Sequence, residues 1–214
     1  MIGIIDYGMG NLHSVSKALE RLELDYFLSG DPAELEKADG LILPGVGSFY
    51  DGMKILKEEK LDGFIRDWAL ADKPLLGICL GMQLLFEESE ENGPTEGLNL
   101  LPGKVRRFSG VTAEGEAYKV PHMGWNKLTF KQPEHTLLQH TEPGHVYFVH
   151  SFLVTTSAEE VLIATAEYDG EVPAVVGKGN TMGTQFHPEK SSFLGMDMLH
   201  NFAALVKREV TARG

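Results

Sequence analysis

Three side chains that could share one reaction, Cys79, His187 and Glu189, lie in two distant segments of the chain. Cys79 is the only cysteine, and Gly77 and Gly81 flank it two positions away on either side. These glycines permit a sharp strand-to-helix turn, because they remove Cβ atoms that would clash where the backbone folds back. Such a turn would place the thiol at a helix N-terminus, which favours the thiolate. The sequence therefore predicts a nucleophile at Cys79; a buried cysteine packed beside glycines is the alternative.

His187 and Glu189 follow a strand-like segment, residues 181–186. Pro188 keeps His187 extended, and in an extended segment residues two apart point to the same side. The carboxylate could then hold one imidazole nitrogen while the other nitrogen faces a thiol, which is the nucleophile–base–orienter arrangement of acyl transfer. Each residue taken alone would be an ordinary polar group at a surface turn. Together with Cys79 they predict covalent catalysis.

A glycine-rich turn, Pro-Gly-Val-Gly at 44–47, follows the apolar run 41–43. Ligands of open α/β sheets bind at the carboxyl ends of strands, so the N–H groups of Val46 and Leu80 could form an oxyanion hole. Gln83 lies one helical turn after Cys79 and suits an amide-bearing substrate, although it could equally bond to nearby backbone. The turn lacks the Lys and Ser or Thr of a phosphate-binding loop, and residues 6–11 lack the third glycine of a dinucleotide fingerprint.

Composition limits the class of protein. The 214 residues are 43% hydrophobic, which suits one large domain spanning 1–214. A net charge of −12 argues against a nucleic-acid partner. One cysteine excludes an internal disulfide and suits a reducing compartment. The start lacks a basic leader, and no apolar run is long enough to cross a membrane. We therefore expect a cytoplasmic protein with no membrane partner.

The two halves of the chain differ in periodicity. Short apolar runs alternate with helical spacing in the first half, which favours a parallel sheet covered on both faces. Strands are expected there at 2–5, 26–28, 41–43 and 75–78, and helices at 12–22, around 64–69 and at 80–88. The second half predicts closely spaced strands at 105–108, 127–130, 146–154, 161–168, 174–176 and 181–186, then a helix over 193–210. The acidic segment 87–94 reads as a solvated loop.

Two motifs in their order along the chain, Gly-Ile-Cys-Leu-Gly-Met-Gln at 77–83 and Gln-Phe-His-Pro-Glu at 185–189, resemble the triad (class I) glutamine amidotransferases. More narrowly, residues 6–11, 43–47, 121–126 and 147–152 resemble the glutaminase subunits of imidazole glycerol phosphate synthase. The resemblance implies an α/β fold: a flavodoxin-like three-layer sandwich. Its central sheet is mostly parallel, with helices on both faces and additional antiparallel strands in the C-terminal half.

The resemblance also implies residue roles. Cys79, His187 and Glu189 would form a triad that hydrolyses glutamine to glutamate and ammonia. The expected substrate-binding positions, including the Leu80 amide inferred from the turn, are Gly45, Val46, Leu80, Gln83, Ser151 and Phe152. Related sequences often carry Tyr at Phe152, but a contact through the backbone makes this of little consequence. His122, Trp125 and Asn126 fall in a segment that lies near the synthase subunit in the family.

The implied partner is a (β/α)8-barrel cyclase, joined in a heterodimer that combines hydrolase and lyase activities in histidine biosynthesis. No metal or organic cofactor is required. Ammonia released into neutral water would become mostly ammonium and lose nucleophilicity, so a shielded channel to the partner has a chemical reason. A glutaminase subunit of another amidotransferase, a free-standing cysteine hydrolase and a catalytically silent binding module are the alternatives. The loops at 44–47 and 147–152 argue against the hydrolase, and the intact triad argues against the silent module.

The loop at 44–47 is rich enough in glycine to hold two backbone orientations. Only one of them would point the Val46 N–H into the cleft. We therefore expect the isolated chain to be a poor glutaminase that its substrate-loaded partner switches on, through residues 6–11 and 122–126.

Overall fold

The computed structural model describes residues 1–213, and residue 214, the last of the expected domain, lies outside the described residues. The helices are α1 (Leu12–Arg21), α2 (Pro32–Leu35), α3 (Phe49–Glu58), α4 (Leu61–Leu70), α5 (Leu80–Leu84) and α6 (Ser192–Arg213). The strands are β1 (Ile2–Ile5), β2 (Tyr26–Ser29), β3 (Gly40–Gly45), β4 (Leu75–Cys79), β5 (Glu88–Ser89), β6 (Thr95–Glu96), β7 (Lys104–Arg107), β8 (His122–Phe130), β9 (His145–His150), β10 (Phe152–Thr155), β11 (Leu162–Glu167), β12 (Glu171–Lys178) and β13 (Thr181–Thr184). None of the helices described is long and apolar enough to span a membrane.

Nine strands form the central sheet, in the order β2-β1-β3-β4-β13-β12-β11-β8-β9. The pairs from β2 to β13 are parallel, and those from β13 to β9 are antiparallel. This division follows from the connections, because parallel strands need helical crossovers whereas antiparallel neighbours can be joined by short turns. One such turn, between β11 and β12, contains Asp169 and Gly170, both with positive φ. The expected α/β fold with antiparallel strands in the C-terminal half is confirmed.

The sheet separates two hydrophobic cores. In β3, Ile42 packs in the core shared with α1 and α6, whereas Leu41 and Leu43 pack in the core shared with α3 and α4. This alternation is the period of two that a strand imposes on its side chains. Helices therefore cover both faces, as the three-layer interpretation requires.

The helix expected over 80–88 is wrong in its second half, because α5 ends at Leu84. The carbonyls of Leu84 and Leu85, which would continue the helix, instead accept hydrogen bonds from Leu98 and Leu100, at 2.8 Å each. The following residues turn into β5, which belongs to a second sheet ordered β10-β7-β5-β6. The acidic segment 87–94 is thus not simply a solvated loop, and Ser89 within it is buried.

The single strand expected over 146–154 is also wrong, because it breaks at Ser151. β9 pairs with β8 in the large sheet, and β10 pairs with β7 in the small one. At the break, the Ser151 carbonyl accepts a hydrogen bond of 3.1 Å from the Phe108 N–H. The chain therefore changes sheets at the two residues, Ser151 and Phe152, that were expected to contact substrate.

Candidate active site

The turn at Cys79 has the geometry predicted for a nucleophile. Cys79 ends β4 with φ +56° and ψ −111°, a backbone conformation that is strained for a residue other than glycine. A Cβ on Gly77 would lie 2.6 Å from the Gly81 carbonyl oxygen, and a Cβ on Gly81 would overlap the carbonyl oxygen of Leu43. Both glycines are therefore required by the close approach of α5 to the sheet, and the expected strand-to-helix turn is confirmed.

The structure brings His187 and Glu189 to this turn. His187 Nδ1 donates a hydrogen bond of 2.8 Å to Glu189 Oε1, and both side chains are buried. The other ring nitrogen is left for Cys79, which is one of the groups that raise the pKa of the imidazole. Burial lowers the pKa of His187, but the hydrogen bonds and negative charges of Cys79 and Glu189 raise it more, to about 9. The site is thus suited to a protonated imidazole beside the Cys79 sulfur.

Two hydrogen bonds tie the segment that carries His187 to the outermost strand, β9, and a third lies within that segment. The His187 N–H donates to the Tyr147 carbonyl at 3.3 Å, and the Tyr147 N–H donates to Ser191 Oγ at 3.0 Å. Ser191 Oγ in turn donates to the His187 carbonyl at 2.6 Å. The backbone of His187 is therefore fixed on both sides of its side chain.

A cavity of about 380 Å³ opens beside the triad. Its lining residues are Val46, Gly47, Cys79, Leu80, Gln83, Glu91, Pro121, Val149, His150, Ser151, Phe152 and His187. Most of the residues expected to bind substrate are thus brought together, with Gly45 the exception. Gly45 lies behind the wall, where a Cβ would come within 2.7 Å of Tyr7 Oη and 2.8 Å of Leu80 Cβ.

Val46 does not offer its N–H to the cavity. That N–H donates to the Met9 carbonyl at 3.2 Å. An oxyanion hole made with Leu80 would therefore lack one of its two expected donors in this orientation. The next residue, Gly47, has φ +97°, and a Cβ there would lie 2.8 Å from Met9 Cε. Met9 thus meets the glycine-rich loop through both its carbonyl and its side chain.

Gln83 is buried and its amide is held by the protein. Its Nε2 donates to the Phe152 carbonyl at 3.0 Å and to Gln185 Oε1 at 2.9 Å. These two bonds use both N–H groups of the amide, so only Oε1 is left to meet a ligand. The bond to backbone that was the alternative for Gln83 is therefore present, and Gln83 also lines the cavity.

Glu91 is a lining residue that the sequence pattern does not predict. It carries the only carboxylate among the residues that line the cavity. Its Oε2 accepts a hydrogen bond of 2.7 Å from the Phe49 N–H at the start of α3, and its own N–H donates to Ser89 Oγ at 3.1 Å. Nothing in the run of acids distinguishes Glu91, because the bond that holds its carboxylate comes from the distant Phe49 N–H.

The mouth of the cavity adjoins exposed apolar side chains on β8 and β9. Met123 pairs with Val149 and Trp125 with Tyr147 across the two strands. Met123 is 64% exposed and Trp125 55%, whereas His122 is buried, so the segment expected to lie near a partner has one outward and one inward face. We call Met123, Trp125, Tyr147 and Val149 the apolar face.

The fold and the site together define a class of enzyme. A family model described as glutamine amidotransferase class-I matches residues 3–205. The chain belongs to the class-I glutamine amidotransferase family. A solved structure described as a glutamine amidotransferase has a TM-score of 0.75 at 21% identity, with 96% of this chain and 98% of that one covered. That likeness confirms the fold.

Two curated relatives are much more similar to this chain in sequence than that solved structure is. The chain is 67% identical over 214 residues to the imidazole glycerol phosphate synthase subunit HisH of Halalkalibacterium halodurans, with 100% of both chains covered. It is 64% identical over 214 residues to the protein of the same name from Geobacillus kaustophilus, with 100% of this chain and 99% of the relative covered.

Proposed function

We propose that this chain is the glutaminase subunit of an imidazole glycerol phosphate synthase. The observation that carries the proposal is Cys79 on a strained turn beside a His187 whose Nδ1 is held by Glu189, at the wall of a small cavity. The full-length identity of 67% to a HisH subunit supports the choice of synthase. Residues 1–214 act as one domain in this proposal.

The triad hydrolyses glutamine in two steps. The Cys79 thiolate attacks the side-chain carbonyl carbon, the C–N bond breaks, and His187 gives its proton to the departing ammonia. His187 then takes a proton from water, which attacks the thioester and releases glutamate and the thiol. Glu189 orients the imidazole and stabilises its positive charge. The raised pKa of His187 keeps the acid form available at neutral pH.

Substrate binding follows from the polar groups at the cavity. The Leu80 N–H meets the oxyanion, Gln83 Oε1 accepts from the substrate, and Ser151 and Phe152 also line the cavity. The α-ammonium group of glutamine needs an anionic partner, and Glu91 is the carboxylate among the residues that line the cavity.

The role of Glu91 can be tested by changing its charge alone. Glu91→Gln keeps an oxygen that can accept from the Phe49 N–H, but it loses the negative charge. We expect KM for glutamine to rise roughly tenfold to a hundredfold, because a hydrogen bond to a charged group contributes about 1.5–3 kcal/mol. Glu90→Gln is the matched control, since Glu90 pairs with Arg106 outside the cavity. An equal KM for both variants would contradict the assignment.

The ammonia passes to a cyclase partner, a (β/α)8 barrel, that builds imidazole glycerol phosphate in histidine biosynthesis. The apolar face beside the cavity mouth supports docking at this end of the molecule, because exposed apolar patches mark interaction sites. Docking there would enclose the exit and keep ammonia from water. We expect the complex to act in the cytoplasm, where the single thiol stays reduced.

The partner also controls the rate in this proposal. The hydrogen bond from the Val46 N–H to the Met9 carbonyl supports a resting orientation of the loop in the isolated chain. Losing one oxyanion donor typically costs about 10²–10³ in rate. Partner binding near Met9 and β8 would rotate the 45–46 peptide toward the cavity and complete the oxyanion hole.

The test is steady-state glutamate release by the chain alone, with the cyclase, and with the cyclase and its substrate. We expect low, intermediate and high rates of glutamate release in that order. The Cys79→Ser variant should release no glutamate under any of the three conditions, because it keeps the size of the side chain but loses the nucleophile. An isolated chain that already runs at the activated rate would favour a free-standing hydrolase. Activation by the synthase subunit of another amidotransferase, and not by the cyclase, would mean that the chain is the glutaminase subunit of that other enzyme.

A further inference from the structure

Two buried histidines outside the triad are joined in one line of hydrogen bonds. His122 is 2% exposed and His150 is 6% exposed. His122 Nδ1 lies 2.9 Å from His150 Nε2, and His150 Nδ1 lies 2.7 Å from the Phe152 carbonyl oxygen. At the other end, Asn126 Nδ2 lies 3.2 Å from His122 Nε2. The line runs from β8 to the residue at which the chain enters the small sheet.

The direction of every bond is fixed by its two ends. A carbonyl can only accept, so His150 must carry its proton on Nδ1 and accept at Nε2, which makes His122 the donor through its own Nδ1. The Asn126 amide nitrogen can only donate, so His122 Nε2 must accept. The amide itself is oriented by bonds to the Glu167 carbonyl and from the Lys127 N–H. Both ends of the line therefore require the same tautomer, with the proton on Nδ1, in both His122 and His150.

The surroundings keep the two rings neutral. His122 is stacked between Phe148 and Tyr168, with ring centroids 4.4 and 4.1 Å away. Phe108 abuts both imidazoles. Burial among these rings lowers the pKa of His122 to about 4 and that of His150 to about 3. A doubly protonated ring would carry a proton on Nε2 as well. It could then no longer accept a hydrogen bond there, and the line of hydrogen bonds would be broken.

The line ends on a group of the glutamine site. The Phe152 carbonyl accepts from His150 and also from Gln83 Nε2, so it fixes both the backbone at the sheet change and the amide of Gln83. Without the His150 bond, Gln83 would be the one hydrogen-bond donor left to this carbonyl among the residues described, and Gln185 would be the one group other than that carbonyl that holds the Gln83 amide nitrogen.

We propose that His150 and His122 are positioning residues for glutamine, a relay of two neutral imidazoles that holds the Phe152 carbonyl and through it Gln83. The proposal rests on the glutaminase function above. Neither histidine transfers a proton in the reaction. The relay begins on β8, the strand whose outward side chains form part of the apolar face.

A matched pair of substitutions separates the bond from the packing. The amide nitrogen of His150→Asn falls near the position of Nδ1 and can still donate to Phe152, whereas the amide of His150→Gln falls near Nε2 and cannot. Both variants remove the same ring from the aromatic cluster, so they should lose similar stability. In the complex with cyclase and its substrate, we expect KM for glutamine to rise roughly threefold to tenfold more in the Gln variant than in the Asn variant. The value of kcat should change little.

A second measurement needs no activity. Long-range ¹H–¹⁵N NMR of the wild-type full-length chain at neutral pH reports the tautomer of each imidazole, and we expect Nδ1–H for both, the form that free histidine disfavours. An Nε2–H tautomer in either ring, or equal KM values for the two variants, would overturn the relay. A wild-type complex that releases no glutamate would instead contradict the proposed function, while the NMR result would still decide the relay.

Discussion

Replacing Tyr7 by phenylalanine should stabilise the protein. In the part of the chain that the structure describes, Tyr7 Oη is buried and has no hydrogen-bond partner. It lies next to the turn at Cys79, and burial together with the charge of Cys79 raises the pKa of Tyr7. The hydroxyl has left water without gaining a bond, and Tyr7→Phe removes that hydroxyl and leaves the ring in place.

The size of the effect follows from the burial. An unsatisfied buried hydroxyl costs about 1–3 kcal/mol, and we expect the free energy of unfolding to rise by about 1 kcal/mol, at the lower end of that range. For a chain of this size, that change corresponds to roughly 2–4 °C in Tm.

Urea unfolding followed by circular dichroism measures the difference. Tyr50→Phe is the control, because Tyr50 is 46% exposed and its hydroxyl can reach water; we expect a change within about 0.5 kcal/mol. A Tyr7→Phe variant that is no more stable than wild type, with the control unchanged, would mean that the hydroxyl is satisfied in solution and would refute the reasoning.

Three further predictions concern the triad and the loop. Glu189→Gln should lose less activity than His187→Ala. The fold-loss of activity in the double variant should be far smaller than the product of the fold-losses in the two single variants. Burial lowers the pKa of His187 while Cys79 and Glu189 raise it to about 9, so activity should fall as pH rises through that value, and in Glu189→Gln the fall should move to lower pH. Gly47→Ala should raise the glutamate release of the isolated chain and narrow the gap to the activated rate, because a side chain at φ +97° strains the resting loop. Gly115→Ala is its control, since Gly115 is also left-handed but has nothing within 4 Å; equal isolated rates would count against the switch.

Gly45 is a poorer position for testing the loop than its place in the motif implies. A β-branched residue there would press on Tyr7, Leu80 and the Gly81 nitrogen, all within 2.9 Å of the added Cβ. Such a variant would disturb the turn at Cys79 as well as the loop, and the two effects could not be separated.

The parts of the site that could be predicted from sequence are those set by local sterics. The glycines around Cys79 and the proline after His187 restrict the backbone within a few residues, and the structure bears out both local geometries. Glu91 could not be found in this way, because its carboxylate is held by the Phe49 N–H, 42 residues away along the chain.

Two further features depend on contacts that no local pattern contains. The early end of α5 is decided by Leu98 and Leu100, whose N–H groups take the carbonyls that would have extended the helix. The orientation of the Val46 N–H is the rotation of a single peptide, and it depends on where the Met9 carbonyl lies. The hydrophobic periodicity of the sequence indicates which side chains are buried. Neither the end of α5 nor the orientation of the Val46 N–H changes that periodicity.

The tie between the His187 segment and β9 also protects the protein from self-association. β9 is the last strand of the nine-stranded sheet, and an uncovered edge strand presents free N–H and C=O groups that recruit strands of other molecules. At Tyr147 both of these groups are occupied by His187 and Ser191. Release of this segment on heating would therefore end catalysis and expose an aggregating edge in the same event, so inactive enzyme should precipitate rather than accumulate in solution.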